Sequence, residues 1–119
     1  MNWYLSKLVF RIICGDGNHA AQFDEQLRLI AASSKEEAYQ KAVLIGREGE
    51  DSFVNSRQEF VHWQFINISE LYRLNPLVDG AELYSRIEEQ EYAEAYIYTV
   101  NQKAESIFLS QTEQLLQPA

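Results

Sequence analysis

The chain has few of the residues that build metal, thiol or disulfide chemistry. Its 119 residues include a single cysteine, Cys14, and two histidines, His19 and His62. A lone cysteine forms no intrachain disulfide, and Cys14 lies in an apolar run where a small buried hydrophobe is expected. The histidines lie far apart, and no Cys-x-x-Cys or His-x-x-x-His pair occurs. We therefore predict no metal site and no cofactor.

Motifs for nucleotide binding and for nucleophilic catalysis are also missing. The segment Gly15-Asp16-Gly17 lacks the third glycine of a dinucleotide fingerprint, and an alternating strand follows it where a helix would be needed. No Gly-x-Ser-x-Gly elbow occurs. The sequence thus predicts no catalytic residue and favours a protein that is not an enzyme.

Basic residues are scarce, since 10 lysines and arginines against 18 aspartates and glutamates give a net charge of −8. Nucleic acids and anionic membrane surfaces attract basic patches, so neither is an expected partner. Solubility explains the acidity. No window has the length of uncharged apolar sequence that spans a membrane, and residues 1–4 lack the basic start of a signal peptide. We expect a cytoplasmic protein.

The composition that remains is that of a globular protein. An apolar content of 46% suffices for a core, and the length suits a single domain over residues 1–119. Residues 3–14 predict a strand that is largely apolar on both faces, as in a strand that is covered on both sides. Turn residues at 15–20 lead into a second strand at 22–32.

The second strand leads directly into a helix. Phe23, Leu27, Leu29 and Ala31 share one face of the strand, and Glu25 interrupts this apolar face. Ser33 or Ser34 can be the N-cap, and Ser34 followed by Glu37 predicts a capping box. The helix that starts there is expected to end at Gly46 or Gly49. Three positions at helical spacing predict its buried stripe, namely Ala38, Ala42 and Ile45.

The second half of the chain contains weaker signals. We predict a loop at 50–59, a strand at 60–68, one helical turn at 69–74 and a short strand at 81–87. A long helix at 89–115 follows, with a 4-3-4-3 apolar spacing at Ala93, Ile97, Val100, Ala104 and Ile107. The tail 88–119 either packs along the sheet or extends beyond the domain and meets a partner.

The order of elements, ββαββα, defines the expected fold class. We predict an α+β domain with a four-stranded, mainly antiparallel sheet, related to the ferredoxin-like fold by moving its last strand to the front. Such a sheet has one bare face, which we expect a second copy of the chain or the long C-terminal helix to cover. The candidate interface residues are Trp3, Leu5, Tyr92, Tyr96, Val100 and Ile107.

One group of polar and aromatic residues could bind a ligand. If the faces of the strands meet, a carboxylate at Glu25 could lie near the imidazole of His62 and the guanidinium of Arg86. The group is either an acid–base site or a buried ion-pair network that specifies the register of the sheet. The candidate ligand-binding residues are Glu25, His62, Trp63, Tyr84 and Arg86.

Several short motifs resemble those of domain-of-unknown-function family 4288, a set of small bacterial proteins. The matching segments are Trp3-Tyr4-x-x-Lys7-Leu8, Glu25-Gln26-x-x-Leu29-Ile30-x-Ala32, Glu36-Glu37-Ala38-x-x-Lys41-Ala42, Val61-x-Trp63-x-Phe65 and Asp79-Gly80-x-Glu82-Leu83-Tyr84-Ser85-Arg86. The resemblance covers about residues 3–87. It implies a small cytoplasmic domain with no assigned activity, in which the segment from Asp79 to Arg86 and Trp63 are characteristic positions.

Three functions stay open at this point. The leading hypothesis is a non-enzymatic domain that works by protein association, as a homodimer or with another protein. The alternative is a small-ligand binding or regulatory module that uses the polar group on the sheet. The third is a hydrolase or isomerase at the same group.

Overall fold

A computed structural model describes the backbone of residues 1–116 and the side chains of residues 1–109. The elements in chain order are β1 (Asn2–Cys14), β2 (Gln22–Ala32), α1 (Lys35–Glu48), β3 (Asp51–Val54), β4 (Phe60–Arg73) and α2 (Ala93–Leu116). The chain divides into one compact unit at Met1–Tyr84 and a second that begins at Ser85. The last residues of the predicted tail, 117–119, lie outside the described residues.

The strands form one antiparallel sheet in the order β2-β1-β4-β3. The prediction of an α+β fold with a four-stranded antiparallel sheet and a helix after the second strand is therefore confirmed. The ferredoxin-like permutation is not confirmed. β1 is central, since it pairs with β2 on one side and with β4 on the other. Two bulges interrupt the ladder with β4, between Lys7 and Leu8 and between Val9 and Phe10.

Three predictions in the second half of the chain were wrong. The expected loop at 50–59 contains β3, the expected helical turn at 69–74 is largely the end of β4, and no strand forms at 81–87. The long first strand explains the second error. Ser6, Leu5 and Tyr4 need partners across the sheet, and β4 supplies them by extending to Leu71, Tyr72 and Arg73. Pairing across the sheet outweighs a weak local helical preference.

Helix α1 begins as the sequence predicts. Ser34 is the N-cap, and its hydroxyl accepts a hydrogen bond from the Glu37 N–H at 3.1 Å. The Glu37 carboxylate reaches back to Ser33, accepting from its N–H at 3.1 Å and from its hydroxyl. The reciprocal bond of the capping box thus falls one residue before the N-cap. The helix ends at Gly49, one of the two predicted glycines.

The core lies between α1 and one face of the sheet. Its buried members are Tyr4, Leu8, Phe10, Ile30, Ala32, Ala38 and Ala42. Small residues let α1 approach the sheet closely, and at Gly46 a methyl group would overlap the ring of Phe65. That ring packs in turn against Phe10, with ring centres 5.5 Å apart. The predicted alanine stripe of α1 is therefore confirmed, with Gly46 as a further buried member and Ile45 packed against the core.

Helix α2 begins at Ala93 rather than at residue 89. The large apolar side chains described on this helix are exposed, among them Ile97, Val100 and Ile107 of the 4-3-4-3 spacing. In the part of the chain that the structure describes, neither helix is long and apolar enough to cross a bilayer.

Candidate functional site

The face of the sheet opposite α1 carries the features that suggest a function; we call it the outer face. Side chains alternate along a strand, so Trp3, Leu5, Lys7 and Val9 lie on this face while Tyr4, Leu8 and Phe10 face α1. Their partners on β2 follow from the register and are Ala31, Leu29, Leu27 and Glu25, with Phe23 opposite Arg11. The predicted apolar face of β2 is thus the outer face.

This arrangement leaves the apolar side of β2 exposed. Phe23, Leu27 and Leu29 are 56%, 55% and 50% exposed. The opposite side of β2, toward α1, is apolar only at its end, where Ile30 and Ala32 are buried. Further along that side, Gln26 donates to Asp24 at 2.7 Å and accepts from Arg28 at 2.8 Å. α1 follows β2 closely and covers its end, and the polar residues form a row along the rest.

A charged group lies at the centre of the outer face; we call Lys7, Glu25, Glu70, Tyr72 and Tyr84 the Lys7 cluster. The Lys7 ammonium lies 3.0 Å from the Glu70 carboxylate and 3.8 Å from that of Glu25. It also lies 5.8 Å from the centre of the Tyr84 ring. Tyr84 packs edge-on against Tyr72, with ring centres 6.1 Å apart. The cluster therefore holds one cation between two carboxylates and two aromatic rings.

The electrostatics of the Lys7 cluster favour fixed charges. The hydrogen bond to Glu70 raises the pKa of Lys7, against the opposing effect of desolvation, and Glu25 adds to the rise. Desolvation raises the pKa of Tyr72, and its hydrogen bond with Glu70 raises it further. Both groups normally titrate near pH 10, so at neutral pH Lys7 stays charged and Tyr72 stays protonated. Neither is poised to exchange a proton at neutral pH.

The structure brings together two of the five predicted ligand-binding residues. Glu25 and Tyr84 both lie beside Lys7. His62 pairs with Ile13, about 13 Å along β1 from the partner of Glu25, and its ring bonds the Ser52 hydroxyl at 2.8 Å.

The other two predicted ligand-binding residues have different surroundings. Trp63 lies on the α1 side of the sheet, where its ring packs 6.1 Å from that of Phe10. Arg86 belongs to the second unit and pairs with Glu88 there. The proximity of an imidazole to a carboxylate, on which the acid–base hypothesis depends, is absent between the described positions of His62 and Glu25.

Three members of the Lys7 cluster were missed by sequence reasoning, namely Lys7, Glu70 and Tyr72. The available signal was the position of Lys7, which interrupts an otherwise apolar strand on the same face as Leu5 and Val9. Glu70 and Tyr72 were hidden by the wrong assignment of 69–74 as a helical turn. Once β4 extends to Arg73, the ladder places Glu70 directly opposite Lys7.

The second histidine has a structural role at the end of the sheet. The His19 Nε2 accepts the Cys14 N–H at 3.0 Å, and its Nδ1 donates to the Ala20 carbonyl at 2.8 Å. The surrounding open cleft of about 530 Å³ lies between the β1–β2 and β3–β4 loops.

Among the described residues no group of three metal-ligand side chains could hold an ion. Glu59 and His62 have the Glu-x-x-His spacing, but His62 is in a strand rather than on one face of a helix.

The predicted interface residues divide between the two units. Trp3 is exposed and Leu5 is buried, both on the outer face. Four others lie in the second unit, and all are exposed: Tyr92, Tyr96, Val100 and Ile107.

The fold and this surface define a small α+β domain whose sheet has one face against a helix and the other rich in exposed apolar side chains. A family model described as a domain of unknown function, DUF4288, matches residues 3–85. The chain belongs to this family, as the sequence motifs suggested. No curated protein and no solved structure matches the chain.

Proposed function

We propose that this protein is a non-enzymatic domain that acts through protein association and forms a homodimer through the surface of β2. The observation that carries the proposal is the exposure of Phe23, Leu27 and Leu29 on one side of an edge strand. Large apolar side chains that are exposed together on one face of a folded domain mark interaction surfaces. Isologous two-fold dimers are the commonest oligomers.

The composition supports a protein partner over other classes. The net charge of −8 opposes binding to nucleic acid or to an anionic membrane. A cytoplasmic location is part of the proposal, supported by the single cysteine, because small secreted domains commonly rely on disulfides.

A small-ligand or regulatory module is the second candidate, and one observation favours it. Glu25 is 63% exposed at its side chain although it lies within ion-pair distance of Lys7, so a ligand could reach the edge of the Lys7 cluster. Against it, Glu70 already neutralises Lys7 at 3.0 Å. An enzyme at this site has less support, because neither Lys7 nor Tyr72 has a pKa near neutrality.

The test compares two leucines of matched exposure. Leu27 on β2 is 55% exposed, and Leu44 on α1 is 57% exposed. Leu27→Glu places a carboxylate opposite Lys7, which keeps the monomer compatible with the new charge. Leu44→Glu introduces the same charge on a helix, where glutamate is well tolerated.

Sedimentation velocity and light scattering across a micromolar concentration series measure the outcome. We expect the wild type and Leu44→Glu to be dimers. We expect the dimer dissociation constant of Leu27→Glu to be at least about ten-fold higher, which is a loss of about 1.4 kcal/mol in the free energy of dimerisation. A wild type that stays monomeric throughout the series would overturn the proposal. So would equal dissociation of the two variants.

A further inference from the structure

Strand β2 is an edge of the sheet, and its backbone shows which residues can accept another strand. Trp3 pairs with Ala31 across the ladder, but the Trp3 carbonyl accepts the Leu74 N–H at 2.8 Å, on the side of β4. The Ala31 carbonyl accepts the Lys41 ammonium at 2.6 Å. Ala31 therefore turns its backbone groups away from β1, and so do the residues at every second position before it.

The residues with outward backbone groups are thus Phe23, Glu25, Leu27 and Leu29. The β1–β2 ladder has no bulge, so the alternation holds along this whole stretch. Within residues 1–116 no other strand pairs with this edge. Long unprotected edges are templates for strand addition. Lys41 occupies the carbonyl of Ala31 and so limits the available edge to the stretch before it.

We propose that this edge pairs antiparallel with β2 of a second copy, with Gln26 on the two-fold axis. The inference rests on the proposed homodimer and specifies its geometry. In this register, two residues of the two copies lie opposite each other when their numbers add up to 52. Phe23 and Glu25 face Leu29 and Leu27 of the other copy, so that outward backbone groups meet outward backbone groups. The two sheets become one sheet that continues through both copies, joined by about eight backbone hydrogen bonds.

Charge complementarity favours this register and a second copy as the occupant. On the α1 side, Asp24 of each copy lies opposite Arg28 of the other, which gives two ion pairs related by the symmetry axis. Asp24, Gln26 and Arg28 already form a hydrogen-bonded row in the single chain, so their side chains are extended along the strand. On the outer face, Phe23 packs against Leu29 twice. Opposite charges and apolar pairs across strands are stabilising.

The neighbouring registers lack this complementarity. An axis at Glu25 places the two Glu25 carboxylates opposite each other, and like charges in that position are destabilising. An axis at Leu27 leaves Asp24 opposite Ile30. An axis between two residues sets outward backbone groups against inward ones, so that no ladder forms.

Cysteine cross-linking tests the register on the full-length chain with Cys14→Ser as background. In the proposed geometry the two copies of residue 26 form a non-hydrogen-bonded pair with Cα atoms about 4.5 Å apart, within the range of a disulfide. Under oxidised glutathione, Gln26→Cys should yield a covalent dimer. Gln22→Cys is the matched control on the same side of the strand. It also replaces a glutamine, it leaves the Asp24–Arg28 pairs intact, and its two copies lie about 26 Å apart along the strands. We expect at least about ten-fold more cross-linked dimer for Gln26→Cys, since a span beyond 7 Å cannot be bridged.

Charge reversal provides an independent measurement. Asp24→Arg and Arg28→Asp each place like charges opposite each other in a homodimer, and each should weaken dimerisation by about ten-fold. An equimolar mixture of the two variants restores both pairs in a heterodimer, so its dimer affinity should return to near the wild-type value.

The outcomes separate the two proposals. A monomeric wild type overturns the homodimer itself. A dimeric wild type in which Gln26→Cys cross-links no more than Gln22→Cys overturns the edge pairing and leaves the homodimer standing. Cross-linking that is strongest at Leu27→Cys or at Glu25→Cys overturns the register centred on Gln26, as does a mixture of the charge variants that stays dissociated.

Discussion

Gly46 lies where α1 crosses the ring of Phe65. This contact decides whether replacing the glycine by alanine stabilises or destabilises the protein. In an ordinary helix interior, alanine is more stable than glycine by about 1 kcal/mol. At Gly46 the added methyl group would overlap the ring of Phe65, which also packs against Phe10. We expect Gly46→Ala to destabilise the protein by about 1–3 kcal/mol, as overpacked cores do.

Urea denaturation measures this effect. Gln40→Ala on the exposed side of the same helix is the control, and we expect it to be neutral or slightly stabilising. Combining Gly46→Ala with Phe65→Leu should recover part of the loss, because the smaller side chain vacates the overlapped space. An alanine at position 46 that stabilises the protein would contradict the close approach of α1 to the sheet.

Ser6 is a polar residue inside the core. It is fully buried on β1 between Tyr4 and Leu8, and its hydroxyl has no hydrogen-bond partner within the described part of the chain. A buried hydroxyl without a partner loses its hydration at a cost of about 1–3 kcal/mol. Alanine has nearly the same volume, so we expect Ser6→Ala to raise the free energy of unfolding by about 1 kcal/mol. A loss of stability in the same denaturation experiment would show that the hydroxyl has a partner.

At the scale of elements, the residues at the start of α1 make the stability of the protein depend on pH. Hydrogen bonds from the Ser33 hydroxyl and N–H lower the pKa of Glu37, and Lys41 lowers it further. A depressed pKa in the folded state means that this stabilisation is present above the unfolded pKa of about 4.3 and is lost as the pH falls through the folded value.

The Glu37→Gln variant tests this dependence. At pH 7 we expect it to be less stable than the wild type, and we expect the two free energies of unfolding to converge below about pH 3. Lys35→Gln changes a charge in the same turn without touching Ser33 and serves as the control. A difference between wild type and Glu37→Gln that is constant from pH 7 to pH 3 would contradict the role of the carboxylate.

The sequence predicted those elements whose signals are local. β2 was predicted with its observed bounds and β1 to within one residue, and the ends of α1 are among the two serines and two glycines that the sequence offered. Alternation, a serine cap and a terminal glycine all lie within these segments or directly beside them. β3 was missed because Asp51-Ser52-Phe53-Val54 is short and half polar. The strand expected at 81–87 has the composition of a strand, but no described strand pairs with it.

The candidate site was predictable only in part. Alternation in β2 correctly grouped Phe23, Leu27 and Leu29 on one face, yet it does not state which face α1 covers. That choice depends on how α1 folds back over β1, which is a long-range property. For the same reason Glu25 was identified as unusual, but its partner Lys7 was not. The face of each side chain and the contact between Glu25 and Lys7 both follow once the register of β1 with β2 and β4 is known.

At the scale of the whole molecule, the family match and the division of the chain agree. The match covers residues 3–85, and the first compact unit covers Met1–Tyr84. All of the core residues and the outer face lie inside this unit. A surface proposed for a property of the family should therefore lie on the sheet rather than on α2.

A comparison of surface variants in the full-length chain locates the association. Val100 and Ile107 are the exposed apolar candidates on α2, at the spacing of a helix–helix seam. Because we place the dimer at β2, the double variant Val100→Glu with Ile107→Glu should dimerise with the same dissociation constant as the wild type. Leu27→Glu, in contrast, should dissociate. Circular dichroism checks that helix content is kept, since glutamate is a good helix former. If the double variant dissociates and Leu27→Glu does not, the association belongs to α2 and the sheet edge has another role.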